Sequence, residues 1–523
     1  MSMPSGSDHA QTGSTVSVWM ETSRPDCGPL KADIATDVCV VGAGIAGLTT
    51  AYLLSREKLN VVVLDDGPIG GGETERTTAH LVTALDDRYM DLEKVHGKEG
   101  SALAAQSHGN AIDRVERIVQ DENIDCEFER VDGYLFLSKG EKEQLLQDEL
   151  AAIHRAGLSD VQFVRQPKID GLEIGPSLRF PRQAQFHPIK YLKGLAAAIE
   201  KAGGKIFTGT HASEVKGGKQ SLVNTDKGHT VTAEHVVVAT NAPINDSVRI
   251  YGQQAPYRTY VIAAAVPRGS IPQILLWDTG PYSKATRPVP YHYVRIQRGE
   301  KEDLLISGGE DHRTALSNDA GLRFERLERW TRSQFPMTGE IRYRWSGQVL
   351  EPADGLAMIG KNPGDEPNVL IATGDSGNGM THGTIAGMLL TDMIVGRKNP
   401  WEALYDPSRF RLRGTKNLLR ENVTTAKAMT TGWLSGSSIA APEKLLPGSG
   451  AVIRRGLKKI ALYRDPAGKF HECSAVCPHK GCIVRWNSLE SSWDCPCHGS
   501  RFTPEGKVVN GPSIADLSPI QKK

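Results

Sequence analysis

Near the C-terminal end, two short stretches hold side chains with metal chemistry: Cys477-Pro478-His479-Lys480-Gly481-Cys482 and Cys495-Pro496-Cys497-His498-Gly499-Ser500. Each supplies one thiol and one imidazole at tight spacing, Cys477 with His479 and Cys495 with His498. Four soft and borderline donors from two loops suit a tetrahedral zinc or an iron–sulfur cluster. A further cysteine stands in each stretch, Cys482 and Cys497. That extra pair favours the cluster over a zinc ribbon.

The two boxes read C-x-H-x-G-C and C-x-C-H-G-S, and in that form they resemble the Rieske 2Fe–2S proteins. The resemblance implies that Cys477 and Cys495 bind one iron and His479 and His498 the other. It also implies a Cys482–Cys497 disulfide pinning the loops, as in the Rieske proteins of respiratory and photosynthetic cytochrome complexes. Ser500 matches the serine whose hydroxyl bonds a bridging sulfide there, and Gly511-Pro512 resembles the loop that covers the cluster. Where that subgroup usually has a tyrosine donating to a ligand sulfur, this chain has Phe502. Losing that donor destabilises the electron-rich reduced cluster. The expected potential lies within the Rieske range of about −150 to +300 mV but below its upper end.

A cluster of this kind moves one electron at a time, so the rest of the chain must supply or consume electrons. At 523 residues there is room for about three domains. Lys plus Arg number 62 and Asp plus Glu 61, a balance that gives no footing for nucleic acid or an anionic membrane. Cys27, Cys39, Cys126 and Cys473 form no framework, which speaks against a secreted disulfide scaffold. No leader or transmembrane segment is recognisable, so the cytoplasm is the expected compartment.

The elements that could position a redox cofactor begin at Val38-Cys39-Val40-Val41, a continuous apolar run typical of a strand buried on both faces. It runs into Gly42-Ala43-Gly44-Ile45-Ala46-Gly47, then a helical pattern, then a second buried strand, Val61 to Leu64, ending in Asp65. Strand, glycine turn, helix, strand and acid together make a dinucleotide fingerprint: the glycines admit a pyrophosphate at a helix N-terminus and Asp65 can bind ribose hydroxyls. Two later stretches favour FAD over NAD. One runs from Lys205 through Ala212 to Ala239-Thr240-Asn241; the other, Val369 to Met380, feeds a strand through Gly374 and Gly379 into a helix. A helix N-terminus there suits the electron-rich end of a reduced flavin.

With Gly70-Gly71-Gly72, Thr77-Thr78-Ala79-His80, Trp345-Ser346-Gly347 and Asp354-Gly355, these pieces resemble the D-amino-acid-oxidase-like flavoproteins. More narrowly, the chain resembles bacterial members that carry a C-terminal Rieske domain. The resemblance implies an α/β Rossmann-like FAD-binding domain with an interleaved α+β substrate domain, followed by a small all-β domain. The expected boundaries are an extension over 1–33, the flavin oxidoreductase over 34–400 with its substrate domain mainly in 90–185 and 250–340, a helical linker over 401–432 and the Rieske domain over 433–523. The expected cofactor contacts are Gly42, Gly44, Gly47, Asp65, Thr78, Ala79, His80, Ala212, Thr240, Gly374, Gly379 and Met380. His80 is out of register with the histidine that carries covalent FAD in some relatives, so non-covalent FAD is expected.

Pro290 to Ile296 reads as a strand whose alternation puts Tyr291, Tyr293 and Arg295 on one face; Arg258 and Tyr260 share a face of an earlier strand. Phenols beside guanidinium groups could hold a substrate carboxylate. In the linker, Arg409, Arg411, Arg413, Lys416 and Arg420 read as a solvated face. A Rieske oxygenase would need a non-haem iron site after the cluster, yet the 25 residues following His498 contain no histidine. The expected activity is therefore hydride transfer to FAD from an amine, amino acid or related C–H donor, with single electrons passing through the cluster to an acceptor protein or quinone. The alternative is a non-catalytic electron carrier or redox sensor.

Overall fold

A computed structural model describes residues 13–245, 248–283, 289–409, 415–439 and 441–520. The valine-rich run forms the strand Ile34–Val41, central in an eight-stranded sheet. It lies parallel between Thr230–Val238 and Val61–Leu64, with Val38 opposite both His235 and Val61. Val369–Thr373 joins one side in parallel and Lys205–Phe207 the other. Val38, Cys39 and Val40 are fully buried, as a strand covered on both faces requires. The helices Ile45–Arg56 and Gly379–Ile394 each begin where a strand of this sheet ends. They approach closely because of two glycines: a Cβ on Gly383 would lie 2.6 Å from Ile45 Cγ2, and one on Gly387 would lie 2.5 Å from Thr49 Cγ2.

The second sheet has nine strands and is mostly antiparallel. Its spine is Ile341–Pro352, Gln254–Pro267, Glu302–Arg313, Tyr293–Gln297, Leu275–Asp278, Glu129–Phe136 and Ser177–Gln185. It also takes in His80–Leu81, which, like the spine strand Ile341–Pro352, lies outside the ranges 90–185 and 250–340. The two sheets are thus threaded through one another by repeated crossings of the chain. The long helix Tyr89–Asp121 bends at Gly97, whose φ of 76° lies in the left-handed region.

The connecting segment is the helix Thr415–Leu434. Arg409, expected on a solvated face, is instead buried, its guanidinium paired with Asp354 at 2.8 Å and donating to the carbonyls of Ala357 and Tyr405. Arg411, Arg413 and the Lys416 side chain lie outside the described residues. Two small sheets follow, one of three strands (Ser449–Arg455, Lys458–Arg464, Phe470–Ser474) and one of four (Arg485–Asn487, Ser492–Asp494, Arg501–Phe502, Val508–Asn510). Among the described residues, no helix is long and apolar enough to cross a membrane.

Candidate active site and cluster site

The glycine turn has the shape that a pyrophosphate cradle needs. Gly42 has φ +111°, and a Cβ there would lie 2.5 Å from the Ala239 carbonyl oxygen. A Cβ on Gly47 would lie 1.8 Å from the Gly42 oxygen, so no larger residue fits at either position. Asp65 closes the turn: its carboxylate accepts from the Ala43 amide at 2.6 Å and the Gly67 amide at 2.8 Å. Burial, with Asp66 beside it, pushes the Asp65 carboxyl up to about 7.

This turn opens one end of a cavity of about 380 Å³. Of the expected cofactor contacts, Gly42, Gly44, Asp65, Thr78, His80, Ala212, Thr240, Gly379 and Met380 line it. Gly47, Ala79 and Gly374 stand behind the wall and shape its turns, Ala79 and Gly374 with φ of 58° and 68°. Backbone glycines, a helix N-terminus and a buried acid on one part of the cavity wall fit the dinucleotide portion of FAD. His80 binds the Thr78 hydroxyl at 3.0 Å and the Val294 carbonyl at 3.3 Å. Burial, reinforced by Arg295, lowers His80 to about 3, so its ring is neutral at physiological pH.

The other end is walled by phenols and acids. Tyr291 and Tyr293 line it with ring centroids 5.6 Å apart. Tyr293 shares a 2.7 Å hydrogen bond with Thr259. Asp86, Asp311, Glu351 and Asp375 line the same cavity. Burial pushes Asp86 up to about 7, against the hydrogen bond it receives from Tyr291. Burial likewise raises Asp375 to about 7 and Asp311 to about 6, and it raises Glu351, which also faces Asp87. The Oδ1 atoms of Asp311 and Asp375 are buried with no hydrogen-bond partner among the described residues. Four segments far apart in the chain supply these acids, and no sequence motif joins them.

The remaining expected pocket residues lie elsewhere. Arg295 is buried beyond Tyr293 on the same strand and donates to the carbonyls of Thr78, Ala79 and Phe186 at 3.0–3.2 Å and to Gln297 at 2.6 Å. It braces the turn that carries His80. Arg258 and Tyr260 do share a face, but Tyr257 and Thr259 are the residues of that strand that face the cavity. Arg258 pairs with Asp494 at 3.2 Å, and the Tyr260 hydroxyl meets His312 at 3.0 Å.

At the second site the two cysteine–histidine boxes face each other. Cys482 and Cys497 are joined in a disulfide. The rings of His479 and His498 stand 4.9 Å apart, edge to face. Cys477 and Cys495 are both buried and in mutual hydrogen-bond contact. The Cys495 thiol donates to Cys477, and the amides of His479 and Lys480 donate to the same sulfur. Together with the Ser500 hydroxyl they pull Cys477 down to about 7 despite its burial. Amides of Cys497 and His498 point at Cys495. Two thiols with amide donors around them, two adjacent imidazoles and a bridge that removes the spare cysteines fit a 2Fe–2S cluster. Tyr251, from the other half of the molecule, lays its ring 4.6 Å from that of His479 and 5.4 Å from that of His498.

Phe502 is fully buried in the same apolar cluster as Cys477 and Cys495. Phe502→Tyr should raise the cluster potential by adding a donor near the ligand sulfurs. A hydrogen bond worth about 1 kcal/mol in the reduced state corresponds to about 40 mV for a one-electron couple. A redox titration followed by EPR measures this. An unchanged or lower potential with a normal spectrum means that the phenol does not reach sulfur.

Comparison with known proteins gives the same two parts. Residues 37–393 match the family described as FAD dependent oxidoreductase, and residues 437–521 match the Rieske [2Fe-2S] domain. The Rieske 2Fe-2S iron-sulfur protein YhfW of Bacillus subtilis is 32% identical over 95% of this chain and 96% of its own. Gamma-glutamylputrescine oxidoreductase of Escherichia coli is 25% identical over 74% of this chain and 90% of its own. Glycine oxidase from Geobacillus kaustophilus superimposes with a TM-score of 0.59 at 19% identity, covering 72% of this chain and 99% of that one.

Proposed function

The chain belongs to the FAD-dependent oxidoreductase family, with a Rieske [2Fe-2S] domain fused at its C-terminal end, and from that premise we propose that it oxidises a small amine or amine-like donor and delivers single electrons to an external acceptor. FAD, when bound, supplies the hydride acceptor, and the 2Fe–2S cluster carries one electron at a time.

One observation carries the choice of donor: the wall formed by Asp86, Asp311, Glu351 and Asp375 beside Tyr291 and Tyr293. Buried carboxylates gathered on a cavity wall favour a cationic guest. Among the described residues, Arg76 is the one lysine or arginine on the lining, and it is engaged with the Ser346 carbonyl, Thr15 and Glu490. An ammonium group would therefore be held by this wall, while a substrate carboxylate would find little to pair with. Tyr291 orients the acceptor oxygens through its hydrogen bond to Asp86. Neutral His80, fixed through both ring nitrogens, shapes the cavity without adding charge. A pure carrier or sensor would leave this wall without an occupant. The acceptor is a one-electron protein or a quinone. The proposed compartment is the cytoplasm, where the buried Cys482–Cys497 bridge is shielded by its own fold.

An anaerobic screen of amines against the matching amino acids, read by flavin bleaching and then by the cluster EPR signal, tests the donor. Amines should bleach the flavin and free amino acids should do so poorly; the reverse order sinks the reading. Asp86→Asn should raise KM for the selected donor about tenfold to a hundredfold, the loss expected for one charge-assisted hydrogen bond. Because the Asp86 carboxyl is raised to about 7, its anion is lost as pH falls through 7, so the wild-type KM should climb between pH 8 and pH 6 and the variant's should climb less.

FAD is proposed to be bound without a covalent link. The lining contains no cysteine among its described residues, and both His80 nitrogens are occupied. Acid precipitation should leave one FAD per chain in the supernatant. Flavin remaining in the pellet overturns this.

A further inference from the structure

The cofactor cavity is not closed by the flavin domain alone. Val508, Val509, Asn510, Gly511 and Ser513, all from the Rieske domain, line it. This segment and Ile514, the residue after it, meet the flavin domain at three places on the cavity wall. Asn510 Nδ2 donates to Glu73 Oε1 at 3.2 Å. A Cβ on Gly511 would lie 3.1 Å from the Ala242 carbonyl oxygen, so that backbone is packed directly on the wall that runs from Ala239 to Ile244. His211 meets the Ile514 carbonyl at 3.3 Å through one ring nitrogen and Asp66 at 3.3 Å through the other. Glu73, His211 and Asp66 line the cavity too.

The other side of the segment is tied to the cluster box. The Ser513 amide donates to Ser500 Oγ at 3.0 Å, and the Ser500 hydroxyl bonds the Cys477 sulfur. Glu73 has a second link to the same box: its Oε2 accepts from the Gln348 amide at 2.7 Å, and Gln348 Nε2 donates to the Gly499 carbonyl at 2.9 Å. The seam is held from behind by buried ion pairs, Arg258 with Asp494 at 3.2 Å and Arg76 with Glu490 at 3.5 Å.

We propose that the Rieske domain is part of the FAD-binding site, with the Val508–Ser513 segment forming the last wall of the cavity, so that holding FAD and keeping the Rieske domain docked are one coupled equilibrium. Two groups that contact the same wall each stabilise the arrangement the other needs, and the coupling is reciprocal. The docked segment slows FAD release, and bound FAD restrains the segment. The proposal rests on the cofactor cavity and is independent of the donor's identity.

Two measurements on the full-length holoprotein test it. Hydrogen exchange of the amides in 508–513 is compared in wild-type protein with FAD bound, after FAD removal, and after FAD is restored. Exchange should speed up at least severalfold on removal and slow again on restoration; rates indifferent to FAD overturn the proposal. The second uses Asn510→Asp, which replaces a donor with a carboxylate facing Glu73. On dilution its FAD fluorescence should recover about tenfold faster than in wild type, with the cluster EPR signal retained. Release at the wild-type rate with an intact cluster also overturns the proposal. Should the variant lose its cluster, the exchange comparison decides.

Discussion

Replacing His498 with alanine should leave the protein without a cluster and cut turnover with a one-electron acceptor about a hundredfold or more, while the donor still bleaches the flavin. Removing even an outer partner of a metal ligand costs about 10–100-fold in affinity or activity, and loss of a ligand is expected to cost more. His498 and His479 are the imidazole pair, their rings 4.9 Å apart. Without one of them, an iron would lose half its protein ligands. The bleaching half of the reaction is built from Gly42, Asp65, His80 and the acidic wall, and His498 does not line that cavity. Iron analysis and EPR measure the first effect, and anaerobic stopped-flow absorbance measures the second. Wild-type turnover by an iron-free variant would mean that electrons leave the flavin by another route and that the Rieske domain serves only as a wall. Faster FAD loss from the variant, by contrast, would fit the coupling of the 508–513 segment to its cluster box.

The sequence carries the two sites unequally, and the reason is range. Cys477 to Cys482 and Cys495 to Ser500 are local boxes whose residue types and spacing already dictate converging ligands. The run from Val38 through Gly42 to Asp65 is local as well, since burial on both faces and the glycine turn are written in consecutive residues. Alternation along a strand was equally readable: Arg258 and Tyr260 do share a face. What alternation cannot reveal is which face meets the cavity, and here Tyr257 and Thr259 do. The opposite face is covered on one side by the Rieske domain, which reaches Arg258 through Asp494, 236 residues away. Arg295 lies on the expected strand, but three backbone carbonyls and Gln297 take up its two terminal nitrogens. Arg409 looked solvated because its partner Asp354 is 55 residues distant. The acidic wall has the same origin: Asp86, Asp311, Glu351 and Asp375 become neighbours only once two sheets are interleaved. Nothing local signals that a segment at 508–513 finishes a cavity begun at residue 42.

The seam between the domains should also dominate the stability of the Rieske half, through Glu490. Its side chain is fully buried, with Arg76 Nη1 at 3.5 Å and Arg258 Nη1 at 3.8 Å. Thr15 donates to it twice, from its amide at 3.0 Å and its hydroxyl at 2.7 Å, and the Ser346 hydroxyl donates as well. Burial alone would raise this carboxyl; the guanidinium groups of Arg76, Arg258 and Arg501 overcome that and hold it at about 2, against an ordinary 4.5. A depressed carboxyl stabilises the fold above its unfolded value and loses that contribution as pH falls towards its folded one. The shift corresponds to about 3 kcal/mol, present above pH 4.5 and lost between there and pH 2. Glu490→Gln keeps the shape but leaves three buried guanidinium groups short of an anion, a defect that costs about 3–5 kcal/mol. At pH 7 the variant's cluster circular dichroism should therefore disappear at a clearly lower urea concentration than that of wild type. As the pH is lowered from 4.5, the two midpoints should converge, because protonation removes from wild type what the substitution removes from the variant. Equal midpoints at pH 7 would show that the Arg76–Arg258–Glu490 seam does not hold the Rieske domain in place.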